Sequence, residues 1–298
     1  MILLTASSII ITVVLLMVFV RHSDDYMRNP VFAATVFCSI SSLLYLSSNV
    51  LVIIPCMLTT CDYLNGWLNV VLVIPGTIGY YAYRYLLLYV TIIKFSIFYP
   101  SICPRITTVQ TVVILTVCYI ILSALVLCST LTGYAKYFKR STYFYAYQNH
   151  RGWRIFYGFL GDLPNLIIVP ILILIIRKVS QLKKLSQTNR SYVDTSMVFQ
   201  FFIVLAFSYA SSICYHALAM DLSKWDLLIV STIKSTVLTM SVMAHSCVMI
   251  VYNTELRRRM WQLLQCVDND SLRAVPLRSK AKFGMFKKTR SRIFWVNK

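Results

Sequence analysis

Three ionisable side chains fall inside long apolar stretches of the chain, where an ionised group is costly unless something neutralises it. Arg84 lies near the middle of one stretch, Lys234 about two turns inside another, and Asp162 is the only acidic residue within any of them. Two cations against one anion leave an excess of positive charge, which attracts an anionic ligand such as a carboxylate in a low-dielectric cavity. The alternative is a structural Arg84–Asp162 ion pair, with the Lys234 ammonium reaching water along its flexible stem.

Two tyrosines accompany the arginine. Tyr80 and Tyr81 precede Arg84 by four and three residues, so in a helix they share its face. Such tyrosines either line a ligand cavity or make hydrogen bonds between neighbouring helices. The candidate ligand-binding residues are therefore Arg84, Tyr80, Tyr81, Asp162 and Lys234.

The composition decides what kind of chain must position these residues. Of the 298 residues, 58% are hydrophobic and only 13% are charged, and mean hydropathy is +0.69. A soluble fold of this size cannot hide so much apolar surface, so the composition excludes an ordinary soluble globule, a disordered chain and a disulfide-rich miniprotein. The net charge of +19 does not indicate a nucleic-acid partner, because the cations lie mostly between and after the apolar runs.

The apolar runs are long enough to cross a bilayer as helices, since about 20 helical residues span about 30 Å of hydrocarbon. None shows the two-residue alternation of a membrane β-strand. We therefore predict an all-α membrane protein, a seven-transmembrane helix bundle in a receptor domain over residues 1–264. The expected spans are residues 2–20, 31–57, 69–98, 107–131, 155–176, 197–218 and 227–251.

The cations also predict the orientation of the bundle. With the N-terminus outside, eleven Lys and Arg residues flank the inner ends of the spans, against six in the outer segments. We therefore expect a multi-pass plasma-membrane protein with an extracellular N-terminus and a cytoplasmic C-terminus. The tail over residues 265–298 is then a basic cytoplasmic segment.

Two sequence signatures resemble a known family. The third span ends Thr91-Ile-Ile-Lys-Phe-Ser-Ile-Phe-Tyr-Pro100, and the seventh ends in Ile250-Val-Tyr-Asn-Thr-Glu-Leu-Arg-Arg-Arg259. These stretches resemble the two cytoplasmic signatures of the nematode serpentine chemoreceptors, which are divergent rhodopsin-like, seven-helix G-protein-coupled receptors. The resemblance covers residues 2 to about 262. It implies a chemosensory receptor that binds a small-molecule ligand from outside and signals to a heterotrimeric G protein.

The chain departs from the wider rhodopsin-like pattern in several places. Lys94 stands where that pattern has an arginine, and His245-Ser246 stands where it has Asn-Pro. The loop over residues 132–153 has no cysteine, so the usual disulfide to the top of the third helix cannot form. A Cys61–Cys128 pair is one alternative, and unpaired thiols are the other.

A basic face is expected on the cytoplasmic side, where it can meet a G protein or acidic lipid headgroups. Its members are Lys94, Arg105, Lys183, Lys184, Arg257 and Arg258. Residues 254–264 read as a short amphipathic helix, because Leu256, Met260 and Leu263 recur on one side. Cys266 follows directly as a palmitoylation candidate, with a free thiol as the alternative.

The sequence shows no sign of catalysis. It contains no nucleophile–base constellation, no phosphate loop and no metal-ligand spacing, so we expect neither an enzyme nor a cofactor. A small polytopic transporter or scramblase is the alternative to the receptor, because intramembrane charges can also line a substrate pathway. Against it, the spans show no internal repeat.

Overall fold

The protein is mostly helical. The structure, a computed structural model, describes residues 2–26, 28–58, 66–139, 144–147, 151–185, 191–217 and 224–264. Its helices are α1 (Ile2–Arg21), α2 (Ser23–Tyr26), α3 (Pro30–Ser48), a π-helical turn (Asn49–Ile53), α4 (Ile54–Leu58), α5 (Trp67–Phe98), α6 (Thr108–Leu131), α7 (Arg151–Leu185), α8 (Ser191–Ala217), α9 (Lys224–Tyr252) and α10 (Thr254–Leu264). Two short strands, β1 (Lys136–Lys139) and β2 (Phe144–Tyr147), lie between α6 and α7.

Six helices are long and apolar enough to cross a membrane. Within the described residues the candidate spans are Ile2–Arg21, Pro30–Cys56, Trp67–Phe98, Thr108–Leu131, Ile155–Gln181 and Ile229–Tyr252. The chain is thus a helical, multi-pass membrane protein. Helix α8 contributes a shorter apolar stretch over Phe202–Cys214.

Polar side chains set where several helices begin. The Asn29 side chain accepts a hydrogen bond from the Val31 amide at 3.0 Å, directly before Pro30 opens α3. Thr107 and Gln110 form a reciprocal capping box at the start of α6. Asn253 separates α9 from α10, and its side-chain oxygen accepts a hydrogen bond from the Leu256 amide at 3.0 Å. Local chemistry therefore defines these boundaries before any packing does.

Several helices differ from the sequence-based prediction, two of them for a clear physical reason. Helix α7 does not end at residue 176 but continues to Leu185, since Arg177, Lys178 and the following residues are good helix formers. The second span is not a uniform α-helix either. Pro55 lacks an N–H donor, and the residues before it, Asn49–Ile53, form a π-helical turn.

The main chains of helices α3 and α5 approach each other closely at two glycines of α5. A Cβ atom built at Gly79 would lie 2.5 Å from the Ser41 carbonyl oxygen and 2.6 Å from the Tyr45 nitrogen, which are both backbone atoms. At Gly76 the Cβ would overlap the Ser48 Oγ. Small residues at such positions let membrane helices approach closely. The two glycines of α5 thus fix its separation from α3.

A core of buried side chains lies around α5. Tyr83, Leu87 and Ile93 of this helix are at most 2% exposed, and they belong to one cluster with Tyr45 of α3 and Ile168 of α7. Helix α6, in contrast, exposes most of its surface, including Val113 and Ile120. Helix α5 is thus an interior helix and α6 a peripheral one.

The strands correct the expectation of a purely helical chain. β1 and β2 pair antiparallel, with Lys136 opposite Tyr147 and Lys139 opposite Phe144, and their Tyr and Phe residues favour strands. The Asn69 side chain fastens β1 to the start of α5. Its Nδ2 donates to the Phe138 carbonyl at 2.9 Å, and its Oδ1 accepts from the Phe138 amide at 2.9 Å. The Asn69 side chain thereby satisfies both the backbone N–H and the backbone C=O of Phe138, as a neighbouring strand would.

Replacing Gly79 with alanine should destabilise the protein. The added methyl group meets backbone atoms of α3, which cannot rotate away, so we expect a loss of about 1–3 kcal/mol in the free energy of unfolding. Thermal unfolding of the purified protein in detergent measures this loss. The control is Gly158→Ala in α7, where a Cβ atom meets nothing within 4 Å. Equal midpoints for the two variants would contradict the tight α3–α5 approach.

Candidate functional site

Arg84 is buried at a junction of three helices. Its side chain is 3% exposed, and it points from α5 towards α7 and α8. Nη1 donates to the Gly161 carbonyl at 2.7 Å and lies 3.6 Å from an Asp162 carboxylate oxygen, while Nη2 donates to the Ser211 Oγ at 3.3 Å. The guanidinium also lies over the Tyr80 ring, 4.6 Å from its centroid. The charge is thus held by a carbonyl, a carboxylate, a hydroxyl and an aromatic face together.

Arg84 contacts its two partners on α7, Gly161 and Asp162, at different distances. The 2.7 Å contact with Gly161 is as short as a charge-assisted hydrogen bond, whereas the 3.6 Å distance to Asp162 is longer than one. The Asp162 side chain is also 37% exposed. Asp162 is therefore the more loosely bound partner, and its carboxylate is the group that another anion would compete with at Arg84.

A chain of hydrogen bonds extends the site along α7 and α8. The Ser211 hydroxyl donates to the Ser208 carbonyl at 2.7 Å, and the Ser208 hydroxyl donates to the Asn165 Oδ1 at 3.3 Å. Asn165 Nδ2 donates in turn to the Ser212 Oγ at 3.1 Å. These contacts connect Arg84 to Asn165 of α7 and to Ser208 and Ser212 of α8.

Pro164 explains a further contact of α5 with α7. A proline has no N–H, so the carbonyl four residues earlier, that of Leu160, lacks its usual helical donor. The Tyr85 hydroxyl donates to this carbonyl at 3.1 Å. A tyrosine of α5 thus satisfies the acceptor that the proline leaves in α7.

Tyr81 has a packing role. It is 5% exposed, its ring lies 5.3 Å from the Tyr157 ring, and its hydroxyl donates to the Tyr157 carbonyl at 3.4 Å. The Tyr157 hydroxyl in turn shares a 2.7 Å hydrogen bond with Ser129 of α6. Of the two tyrosines predicted beside Arg84, Tyr80 contacts the guanidinium and Tyr81 connects α5 with α6 and α7.

The predicted ligand-binding residues come together only in part. Arg84, Tyr80 and Asp162 form one contiguous site, with Tyr81 beside it. Lys234 lies partly buried on α9, whereas the polar partners of Arg84 are on α7 and α8. The site is therefore built around the Arg84–Asp162 pair, the arrangement that the sequence offers as an alternative to an anion pocket.

The predicted basic face lies partly within the described residues. Arg105, Arg257 and Arg258 are exposed, and Lys94 is half-buried near the end of α5. Arg258 also donates to Glu255 at 3.2 Å. Lys183 and Lys184 belong to α7, but their side chains lie outside the described residues, as do Cys266 and the basic tail.

The Cys61–Cys128 disulfide that the sequence left open is wrong. Cys128 is a free thiol on the exposed side of α6, so a Cys61–Cys128 bond does not form. Cys56 of α4 is disulfide-bonded instead. Spacing alone did not distinguish Cys56 from the other cysteines of the apolar runs. Cys61 itself lies outside the described residues.

The sequence analysis did not single out Lys136, which it counted only among the six cations of the outer segments. Its position on β1 brings it to a small pocket of about 10 Å³ shared with the hydroxyl-bearing residues Thr77, Ser129 and Tyr157. Burial lowers the pKa of Lys136 from 10.5 to about 8. Nothing in the local sequence separates it from Lys139, which lies on the same strand and is exposed.

Comparisons with known proteins add no identification. No protein-family model matches the chain, and no curated protein matches its sequence.

Arg84 and Asp162 should contribute unequally to the free energy of unfolding. Arg84→Met removes the donor to Gly161 and Ser211, so we expect a loss of about 3–5 kcal/mol in the free energy of unfolding. Asp162→Asn leaves those two hydrogen bonds intact and keeps a side-chain oxygen that can accept from Arg84, so we expect the smaller loss of about 1–2 kcal/mol. Thermal unfolding in detergent compares them, and equal losses would contradict the unequal partnership.

Lys136 should make stability depend on pH. The unfolded chain, with a pKa near 10.5, binds the lysine proton more tightly than the folded chain, with a pKa near 8. The free energy of unfolding therefore rises as the pH increases from about 8 towards 10.5. Lys136→Met should be more stable than wild type below pH 8, and this advantage should shrink through that range. Lys139→Met controls for loss of a charge from the strand, and an advantage that stays constant would refute the assignment.

Proposed function

We propose that this chain is a chemosensory G-protein-coupled receptor with the seven-helix layout of the nematode serpentine receptors. It binds a small anionic ligand from the extracellular side at Arg84 and signals to a heterotrimeric G protein. The observation that carries the proposal is the Arg84 junction, a buried charge that joins α5 to α7 and α8 and has one loosely held anionic partner.

The helix order supports this layout. Besides the six candidate spans, α8 has 27 residues, about 40 Å of helix, which is enough to cross a bilayer. A seventh crossing by α8 would place the chain ends on opposite sides, and the distribution of the cations favours an extracellular N-terminus and a cytoplasmic C-terminus. The short helix α10 follows α9 directly, as the amphipathic eighth helix of this layout does.

The unequal partners of Arg84 provide a switching mechanism. A ligand carboxylate that reaches Arg84 replaces the Asp162 carboxylate, because the two anions compete for the same guanidinium. The hydrogen bonds from Arg84 to Gly161 and Ser211 remain, while α7 loses the ion pair to α5. Ligand binding thus biases the arrangement of α5 against α7, which is the kind of helix shift that a two-state receptor needs.

The G protein would bind at the other end of the bundle. Arg105 lies in the loop between α5 and α6, and Arg257 and Arg258 lie at the start of α10. With Lys94, these cations would form a face complementary to acidic protein surface, to which the sequence analysis also assigns Lys183 and Lys184. A shift of α5 or α7 changes the spacing of these groups.

The test is a G-protein activation assay in cells that display the chain at the plasma membrane. A panel of small carboxylic acids is screened beside their uncharged amides, so that only the charge differs within each pair. We expect an acid to activate and its amide to fail. Arg84→Gln should raise the half-maximal concentration about thirtyfold or more, since losing one partner of a buried charge pair costs about 2 kcal/mol or more.

Two further variants make the result specific. Asp162→Asn removes the internal competitor, so it should lower the half-maximal concentration or raise basal activity. Lys139→Gln removes an exposed cation from the hairpin and should respond like wild type. Absence of any G-protein response at confirmed surface expression would refute the proposal. Acid-dependent flux into liposomes without such a response would identify the transporter instead.

A further inference from the structure

A second cavity lies between α5 and α6, away from the Arg84 junction. It has a volume of about 150 Å³ and is lined by side chains such as Ala82, Leu86 and Ile92 of α5 and Leu115 and Cys118 of α6. The lining of α6 begins about 10 Å from its first residue, Thr108, and ends about 21 Å from it, at Leu122. These depths fall in the middle of a hydrocarbon core about 30 Å thick.

The walls of this cleft are apolar although three tyrosines contribute to them. Each tyrosine hydroxyl donates to an oxygen that does not line the cleft, so only the ring faces it. The three hydrogen bonds join Tyr85 to the Leu160 carbonyl at 3.1 Å, Tyr89 to the Thr111 hydroxyl at 3.4 Å and Tyr119 to the Phe37 carbonyl at 3.0 Å. The cleft therefore offers aromatic and aliphatic surface and no spare hydroxyl donor to its occupant.

The cleft is bounded along the helices. At one end the Tyr89–Thr111 hydrogen bond connects α5 and α6. At the other end Leu122 and Val126 pack with Tyr81 in a separate buried cluster. An extended acyl chain needs a groove that continues along the membrane, whereas a cleft closed at both ends fits a compact molecule.

The cleft opens towards the lipid. Several lining residues, Tyr85, Leu88 and Cys118 among them, are only partly buried, and the neighbouring residue Val117 of α6 is 48% exposed. A molecule dissolved in the bilayer can therefore enter from the side. An apolar cavity of roughly this size, 150 Å³, is known to hold benzene or xenon rather than water.

We propose that the α5–α6 cleft binds a small, uncharged, apolar molecule of about one aromatic ring, which enters from the bilayer. The site is separate from Arg84 and takes the opposite chemistry. It does not depend on signalling, so its test is a binding measurement that leaves the receptor proposal untouched.

Photolabelling in membrane vesicles tests the proposal. The probe is 3-trifluoromethyl-3-phenyldiazirine, an uncharged photoreactive aromatic, and the competitor is toluene; residue-level mass spectrometry locates the adducts. Toluene at ten times its dissociation constant should reduce labelling of the lining residues, Leu115 among them, about tenfold. Labelling of Val113 and Ile120, on the exposed side of α6, should not change because it is not saturable.

A pair of neighbouring substitutions provides the matched control. Cys118→Phe fills the cleft and should lower the competable labelling about tenfold. Val117→Phe adds a similar bulk at the adjacent position outside the lining and should leave it unchanged. If Cys118→Phe lowers the thermal midpoint, the smaller Cys118→Leu replaces it with the same expectation.

Two results would overturn the proposal. Labelling of the lining residues that toluene leaves undiminished would mean that lipid chains fill the cleft. Competable labelling that persists in a folded, filled variant would mean that the probe binds elsewhere.

Discussion

Inside a bilayer a polar group has to find its partner within the protein, because no water reaches the hydrocarbon core. Between the helices of this chain, several tyrosine hydroxyls meet that constraint by donating to main-chain carbonyls. Tyr83 of α5 donates to the Ser241 carbonyl of α9 at 2.8 Å, and Tyr99 donates to the Leu174 carbonyl of α7 at 2.9 Å. Such hydrogen bonds hold α5 against the neighbouring helices where the hydrophobic effect contributes little to association.

Arg84 is the most demanding case of the same constraint. A guanidinium has five N–H donors and cannot be deprotonated, so its burial requires several acceptors at once. Helix α7 supplies a carbonyl and a carboxylate at adjacent residues, and α8 supplies a hydroxyl. The arginine therefore specifies how three helices are placed, and any ligand that binds it has to act on that placement.

The two candidate sites use different faces of α5, one polar and one apolar. One face of the helix presents Arg84 to α7 and α8, and another presents the rings of Tyr85 and Tyr89 to α6. Tyr85 takes part in both environments, since its hydroxyl contacts α7 and its ring lines the cleft. The packing of α5 thus relates a polar junction inside the bundle to an apolar cleft at its edge.

The sequence by itself determined that this is a helical membrane protein, located six of its spans approximately and singled out Arg84 as a charge within one of them, because hydropathy and the cost of a buried charge are properties of local sequence. It also offered the Arg84–Asp162 pair as one of two alternatives. Only the tertiary structure showed which distant residues meet. Arg84 and Gly161 are 77 residues apart in the sequence, and Asn69 and Phe138 are also far apart. The reason is physical: evenly apolar helices do not encode their own rotation and depth, and these decide which polar atoms meet.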